Sequence, residues 1–442
     1  MLTSLNVEEK IKNMLDRSLR PEIKSLEEFV VISPERCTLP NGIPLNILNV
    51  GNKEIVRIDF VFEAGRWQQE YLLQAVLTNR MLREGTISMN ASEIAERLDF
   101  YGAWLDLSVS ASNAFVTLYS LEKYLQPTLD VLESMLKAPL FPDKELDTIV
   151  GNNLQQYLIS QTKTDVLARK SLLRTLYGER HPYGKSVCEE DYRKITSALL
   201  KQFFKEYYHA GNCTVYLSGK ISAACIEMIE ARFGTDTFNQ GEMQSVPKCY
   251  SVETSPEKRI FVEQPFASQS SVRMGMLTVG CHHPDFAKTR VLVTLLGGYF
   301  GSRLMSNIRE DKGYTYGISA GIVPYADHGM FLVAAETAPE FVSPLIAEVY
   351  NEIDRLQQEL VSAEELSMVR NYMIGDMCRT FESAFSLADA WIYADTLGLP
   401  ESHFSDVFCT VKTICAEEIR SLAQQYLCKE KLKEVVSGKK MS

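Results

Sequence analysis

Six histidines, ten cysteines and one dense run of charged and aromatic residues are where this 442-residue chain could carry chemistry. One arrangement for metal-assisted hydrolysis sets two imidazoles one helical turn apart, so that both reach one ion. A carboxylate beside them takes a proton from the bound water. His181, His209, His282, His283, His328 and His403 include no pair at i, i+3 or i+4, and the adjacent His282 and His283 point apart. The cysteines (37, 188, 213, 225, 249, 281, 378, 409, 415 and 428) contain no Cys-x-x-Cys pair. That spacing argues against a zinc ribbon or a disulfide framework and predicts buried, reduced thiols in a reducing compartment. Gly297-Gly298 has no Walker lysine after it, and no Gly-x-Ser-x-Gly elbow occurs. The remaining stretch is Gly301-Ser-Arg-Leu-Met-Ser-Asn-Ile-Arg-Glu-Asp-Lys-Gly-Tyr-Thr-Tyr316. Taken alone, Arg309-Glu-Asp-Lys312 is a solvated charge run ending a helix, and Tyr316 a packed strand aromatic.

The elements that position these residues follow from periodicity. Asn41-Gly42 marks a hairpin turn between apolar runs, and 55–63 alternates as a half-buried strand does. Glu70 to Met81 has helical apolar spacing. Asn90 with Glu93 opens a second helix as a capping box, and Gly102 closes it. Trp104 to Tyr119 returns to strand, and helices are predicted after Pro127 and from Pro142 to Thr162. In the second half, 260–277 is strand-like, and Phe286 to Met305 is an apolar helix interrupted by glycines. Two strands flank Pro324-Tyr-Ala-Asp327. A helix spans 341–357, and Ser362 with Glu365 caps another. Phe381 and Phe385 fall on one helical face, more consistent with core than with a substrate site.

The two halves echo each other. Phe141-Pro-Asp-Lys-Glu-Leu146 and Leu360-Val-Ser-Ala-Glu-Glu-Leu366 open corresponding helices, which suggests a duplicated unit. The expected organisation is an arm over 1–30, a domain over 31–238, a polar linker over 239–257 and a second domain over 258–442. Strands grouped with helices make the class α+β, with mixed sheets covered by helices. A net charge of −11 argues against nucleic acid. No apolar run reaches bilayer length, and the N-terminus lacks the pattern of a secretory signal, which predicts a cytoplasmic protein without a membrane span.

Several segments carry a resemblance over about residues 36–435. In the first half these are the Leu39-Pro-Asn-Gly42 hairpin, Phe62-Glu-Ala-Gly-Arg66, Arg83-Glu-Gly-Thr86, Leu176-Tyr-Gly-Glu-Arg-His-Pro-Tyr-Gly184 and Tyr207-Tyr-His-Ala-Gly-Asn-Cys-Thr-Val215. In the second half they are Leu295-Leu-Gly-Gly298 and the 301–316 run. Their order and spacing resemble the pitrilysin/insulinase family of zinc metallopeptidases. Aligned on Gly85-Thr86, the family's His-x-x-Glu-His falls on Val76, Leu77, Thr78, Asn79 and Arg80. Val76 cannot ligate a metal, Asn79 cannot act as a base, and Arg80 repels a cation. Where the resemblance places a third, acidic ligand, Thr148-Ile-Val-Gly-Asn-Asn-Leu-Gln155 offers the amides Asn152 and Asn153.

The resemblance also implies that Arg309 binds a substrate carbonyl and that the Tyr316 hydroxyl supports a forming oxyanion. A charge-assisted donor and a phenol suit that role. The implied function is the non-catalytic, substrate-binding subunit of a zinc peptidase. Zinc would sit only in a similar-sized His-x-x-Glu-His partner, and no cofactor in this chain. The alternative is a catalytically dead peptide-binding or scaffold protein that works without a peptidase partner, alone or self-associated.

Overall fold

The computed structural model describes residues 19, 26–235, 238, 250–325 and 327–440. Most of the predicted arm and most of the predicted linker lie outside them, as does Cys249. The described residues from 31 onward form one compact unit. In the first half, β1 (Glu35–Thr38), β2 (Pro44–Asn49) and β3 (Ile55–Phe62) precede α1 (Gln74–Met81) and α2 (Ala91–Phe100). Then come β4 (Trp104–Val109), β5 (Ala114–Leu121), α3 (Leu125–Lys137), α4 (Asp143–Ser160) and α5 (Thr164–Tyr177). The half closes with α6 (Glu189–Lys194), α7 (Ser197–Tyr207), β6 (Cys213–Gly219) and α8 (Ala223–Phe233). Its sheet runs β1-β2-β6-β3-β5-β4, with β2 and β6 parallel and the other pairs antiparallel. Thus Trp104 to Tyr119 is two strands joined by a turn, not one.

The second half repeats the plan with β7 (Arg259–Glu263), β8 (Ser270–Val279) and α9 (Phe286–Val293). Here 260–277 proves to be two strands. The predicted helix to Met305 is α-helical only as far as Val293. It continues as a π-helix over Thr294–Gly298, and a second π-helix spans Met305–Asp311. Next are β9 (Thr315–Pro324), β10 (His328–Thr337), α10 (Val342–Gln358), α11 (Ala363–Thr380) and α12 (Ala384–Thr396). α13 (His403–Thr413), α14 (Ala416–Tyr426) and β11 (Lys433–Gly438) complete the chain. The sheet order is β7-β11-β8-β10-β9, which leaves β9 at an edge. Phe381 and Phe385 share no helical face, because α11 ends at Thr380 and the Ser383 hydroxyl caps α12 by accepting from the Ser386 N–H.

Alternation in β3 separates two environments. Val56, Ile58, Phe60 and Phe62 join the core under α1, α2, α3, α7 and α8. Val61 points the other way, with Tyr216, onto Ile392 of α12. The exchange is reciprocal, because α5 of the first half lays Ala168, Leu172 and Leu176 against Met330 and Val435 of the second sheet. Gly275 on β8 permits that approach, since a Cβ there would stand 3.0 Å from both the Leu172 side chain and the Phe331 carbonyl. Each half therefore covers part of the other's sheet, and neither buries its apolar surface alone.

Polar anchors fix α12 in place. Arg57 donates to the Phe385 carbonyl (3.0 Å) and pairs with Asp389 (2.6 Å). Arg36 (2.9 Å) and the Tyr216 hydroxyl (2.7 Å) hold Asp395, and the Trp391 indole donates to the Ile32 carbonyl (2.8 Å).

A cluster of rings joins the halves at another point. Trp67, Tyr177, His181 and Tyr183 pack with Tyr325 and His328 of the β9–β10 turn, the closest pair being Tyr183 and Tyr325 at 4.3 Å. His328 Nε2 lies 3.1 Å from the Tyr177 hydroxyl. Burial pushes both imidazoles below the ordinary histidine value of 6.5; His328 adds to the effect on His181, and Asp327 opposes it on His328. The unfolded chain then takes up protons more readily than the folded one. Stability is full above 6.5 and is lost as pH falls below it. We expect a lower urea midpoint at pH 5 than at pH 7.5. His328→Gln, which keeps a partner for Tyr177, should shrink the difference; an unchanged pH dependence would place the effect elsewhere.

The thiols depart from expectation. All nine described cysteines are free, yet only Cys213, Cys225 and Cys281 are buried, while Cys37, Cys188, Cys378 and Cys409 are exposed. Cys188 and Cys415 stand at helix N-caps, where their N–H groups donate to Asp191 (2.9 Å) and Glu418 (3.0 Å). A position chosen for capping lies at the surface, so packing does not bury these thiols.

Candidate functional site

The helix predicted from Glu70 begins at Gln74, after a left-handed Leu73 (φ 73°). The Gln74 side chain causes this. Its oxygen accepts the N–H groups of Glu70 (3.0 Å) and Tyr71 (3.3 Å), and its amide donates to the Leu199 carbonyl, so the preceding turn is closed without helix. α1 carries Val76, Asn79 and Arg80. Val76 is half-buried. Asn79 is buried and donates to the Phe115 carbonyl at 3.2 Å. Arg80 donates to the Asn153 side chain at 3.1 Å. Asn153 is thus brought to the site, whereas Asn152 is exposed.

Of these positions the structure joins Arg80 and Asn153, while Asn79 is held by the sheet, and their chemistry does not fit zinc. A guanidinium and two amides supply no anionic or imidazole ligand and no base, and Arg80 adds positive charge where a cation would sit. Among the described residues, no group of three or more His, Cys, Asp or Glu side chains is placed to hold a metal ion. Beside this place lies a cavity of about 1500 Å³, bounded by β4, β5, α4, α5, α12 and the β9–β10 turn. Asn153 lines it, as does Trp104 on the sheet's edge strand, whose ring is 68% exposed.

The second set of residues stands apart from that cavity. The π-helix Met305–Asp311 is anchored by Asn307, which donates to Glu348 (3.0 Å) and Glu352 (2.7 Å), and by Lys312 on Glu348 (3.1 Å). This leaves Arg309 half-buried, its guanidinium 4.9 Å from the Phe300 ring centre and its Nε 3.3 Å from Glu310. Gly313, at φ +66°, turns the chain into β9. A register shift follows between Ala335 and Thr337, where the Thr315 hydroxyl lies 2.6 Å from the Glu336 carbonyl. The shift releases Tyr316 from the packed face, and it is 90% exposed. Tyr316 is therefore not a packed strand aromatic. Phe300, itself 63% exposed, was not singled out from the sequence, although it lies one residue before the run.

Known proteins resemble this chain in sequence and in fold. The insulinase (peptidase family M16) model matches residues 53–189, and the peptidase M16 inactive domain model matches 194–373. The uncharacterized zinc protease YmxG of Bacillus subtilis is 22% identical over 396 residues, 88% of this chain and 95% of that protein. The non-peptidase homolog YmxG of Helicobacter pylori is 23% identical over 361 residues, 80% of this chain and 81% of that one. A crystal structure of a peptidase M16 inactive domain from Pseudomonas fluorescens superposes with a TM-score of 0.84 at 23% identity, covering 93% of this chain and 99% of that one. A Helicobacter pylori protease gives a TM-score of 0.82 at 16% identity, covering 91% and 99%. With both domain types in sequence and one α+β architecture throughout, the chain belongs to the M16 insulinase family.

Proposed function

We propose that this chain is the non-catalytic, substrate-binding subunit of an M16 zinc peptidase. Its partner would be a similar-sized subunit bearing His-x-x-Glu-His and the zinc, and the substrate a peptide. This chain would hold no metal of its own, and Arg309 and Tyr316 would complete the partner's site. One observation carries the reading: Tyr316 is 90% exposed, in the motif where the family resemblance expects a donor. The Arg80–Asn153 hydrogen bond supports it, because the metal half is filled by a bridge of its own side chains.

Duplication of an ancestral half is part of the same proposal. α4 and α5 face the large cavity with residues 153, 156, 157, 160, 166, 169, 170 and 173. α11 and α12 line a smaller cavity with residues each 220 positions later, from Met373 to Tyr393.

The test is isolation of the tagged chain from its native source, with native mass and subunit identity measured. Recovery with an equimolar His-x-x-Glu-His chain, and peptide hydrolysis by the pair but by neither subunit alone, is the expected result. A monomer or self-dimer without any such chain would favour the scaffold reading.

A further inference from the structure

The second half encloses a cavity of about 610 Å³ between α9 with its π-helical continuation, α11, α12 and α13. That volume suits a small organic molecule. Its wall is largely apolar, with Phe286, Ile322, Met377, Phe404 and Val407. The charged groups that reach it are Arg290, Asp376 and Asp389. Asp376 accepts from Arg379 at 2.5 Å, and Asp389 pairs at 2.6 Å with Arg57, which it shares with Asp59, so each carboxylate has a cationic partner within the chain. Among the described residues no carboxylate pairs with Arg290, and its guanidinium acts on Tyr393 and His403, which also line the space. Burial, with Arg290 adding to it, holds His403 below the ordinary histidine value, so at pH 7 it is a neutral hydrogen-bonding group.

An unpaired guanidinium at an apolar cavity is suited to a carboxylate on an apolar body, because the planar fork matches both oxygens. We propose that this cavity binds a small monocarboxylate with an apolar chain or ring, its carboxylate on Arg290 and its body against Phe286, Met377 and Phe404. Two sources share that chemistry, a free medium-chain acid and the C-terminus of an apolar peptide. The site is independent of whether Arg309 and Tyr316 serve a partner.

Calorimetric titration of the full chain with octanoate and with N-acetyl-Leu-Phe, each beside its uncharged amide, tests this. An acid should bind at one site, with its amide weaker by about tenfold or more. Arg290→Gln should lose about tenfold or more in affinity with the melting temperature unchanged, because the side chain is exposed, and Arg290→Lys should lose less. Binding of octanoate alone assigns a free acid, and binding of the dipeptide alone assigns a peptide C-terminus. Binding of both still supports carboxylate recognition. Failure of both acids below about 10 mM, or equal affinity in Arg290→Gln, overturns the proposal.

Discussion

Replacing Tyr316 by phenylalanine is expected to lower turnover of the reconstituted pair by about tenfold or more, the usual effect of removing one oxyanion donor. The ring is 90% exposed, so losing its hydroxyl leaves no buried group unpaired and should not change the chain's melting temperature. The effect should fall on kcat, because a phenol aimed at developing negative charge acts in the transition state. Arg309→Ala should behave differently. A guanidinium that holds a ground-state carbonyl contributes to binding as well, so KM should rise along with the fall in kcat. Its contact with Phe300, 4.9 Å away, is worth only about 0.5–1 kcal/mol at an exposed site, so the fold should persist. Steady-state kinetics on the purified pair, with native mass as a control for assembly, measures both. Unchanged kcat in both variants within an intact complex would make them ordinary surface residues.

How much of this was legible follows from which signals are local. The Asn90–Glu93 capping box forms as predicted, with the Asn90 N–H donating to Glu93 at 2.8 Å and the Glu93 N–H to Asn90 at 3.0 Å. The Asn41-Gly42 hairpin forms with Gly42 at φ +95°, and Gly102 closes α2 at φ +61°. Each depends on a few neighbouring residues. The start of α1 was not legible, because Gln74 closes the preceding turn through the carbonyl of Leu199, more than a hundred residues away. Nor was the exposure of Tyr316, which results from a register shift set by a partner strand. At the site, the loss of ligand types at 76, 79 and 80 could be read directly. That Asn153 rather than Asn152 faces Arg80 required the helix phase of α4 against α1.

The exchange of helices is the largest feature that periodicity could not supply. Apolar spacing says that a helix has a face to bury but not which sheet receives it. Phe115 and Tyr216 point away from their own helices, and the covering residue Ile392 lies in the other half of the sequence. One sign was present in β3, which carries Arg57 and Asp59 on the face opposite the first core. Two opposite charges two residues apart on a strand share a face and can pair. Both are buried here, with Arg57 reaching Asp59 at 2.8 Å as well as the exchanged helix.

That pair sets the second large expectation. Arg57→Met should destabilise the chain by about 3–5 kcal/mol, the usual cost of leaving a buried charge without its partner. The Arg57 side chain is 7% exposed and that of Asp59 1%. One Asp59 oxygen accepts Arg57 Nε (3.0 Å), Arg57 Nη2 (2.8 Å) and Thr117 Oγ1 (2.7 Å), so removing the guanidinium leaves the carboxylate only the hydroxyl. Asp389 loses its partner too, but it is 65% exposed and water replaces the contact. Burial already pushes the Asp59 carboxyl up despite Arg57, and without Arg57 it should rise further. The sign of the pH dependence follows. A carboxyl raised in the folded state costs stability above its folded pKa, and the cost is relieved as pH falls through that value. The loss in Arg57→Met should therefore be larger at pH 8 than at pH 5, measured by urea unfolding. Asp59→Asn in the same background should recover part of it at pH 8, because the amide carries no charge to desolvate. An equal loss at both pH values, with no recovery in the double variant, would assign the effect to the lost anchor on α12 and not to the stranded charge.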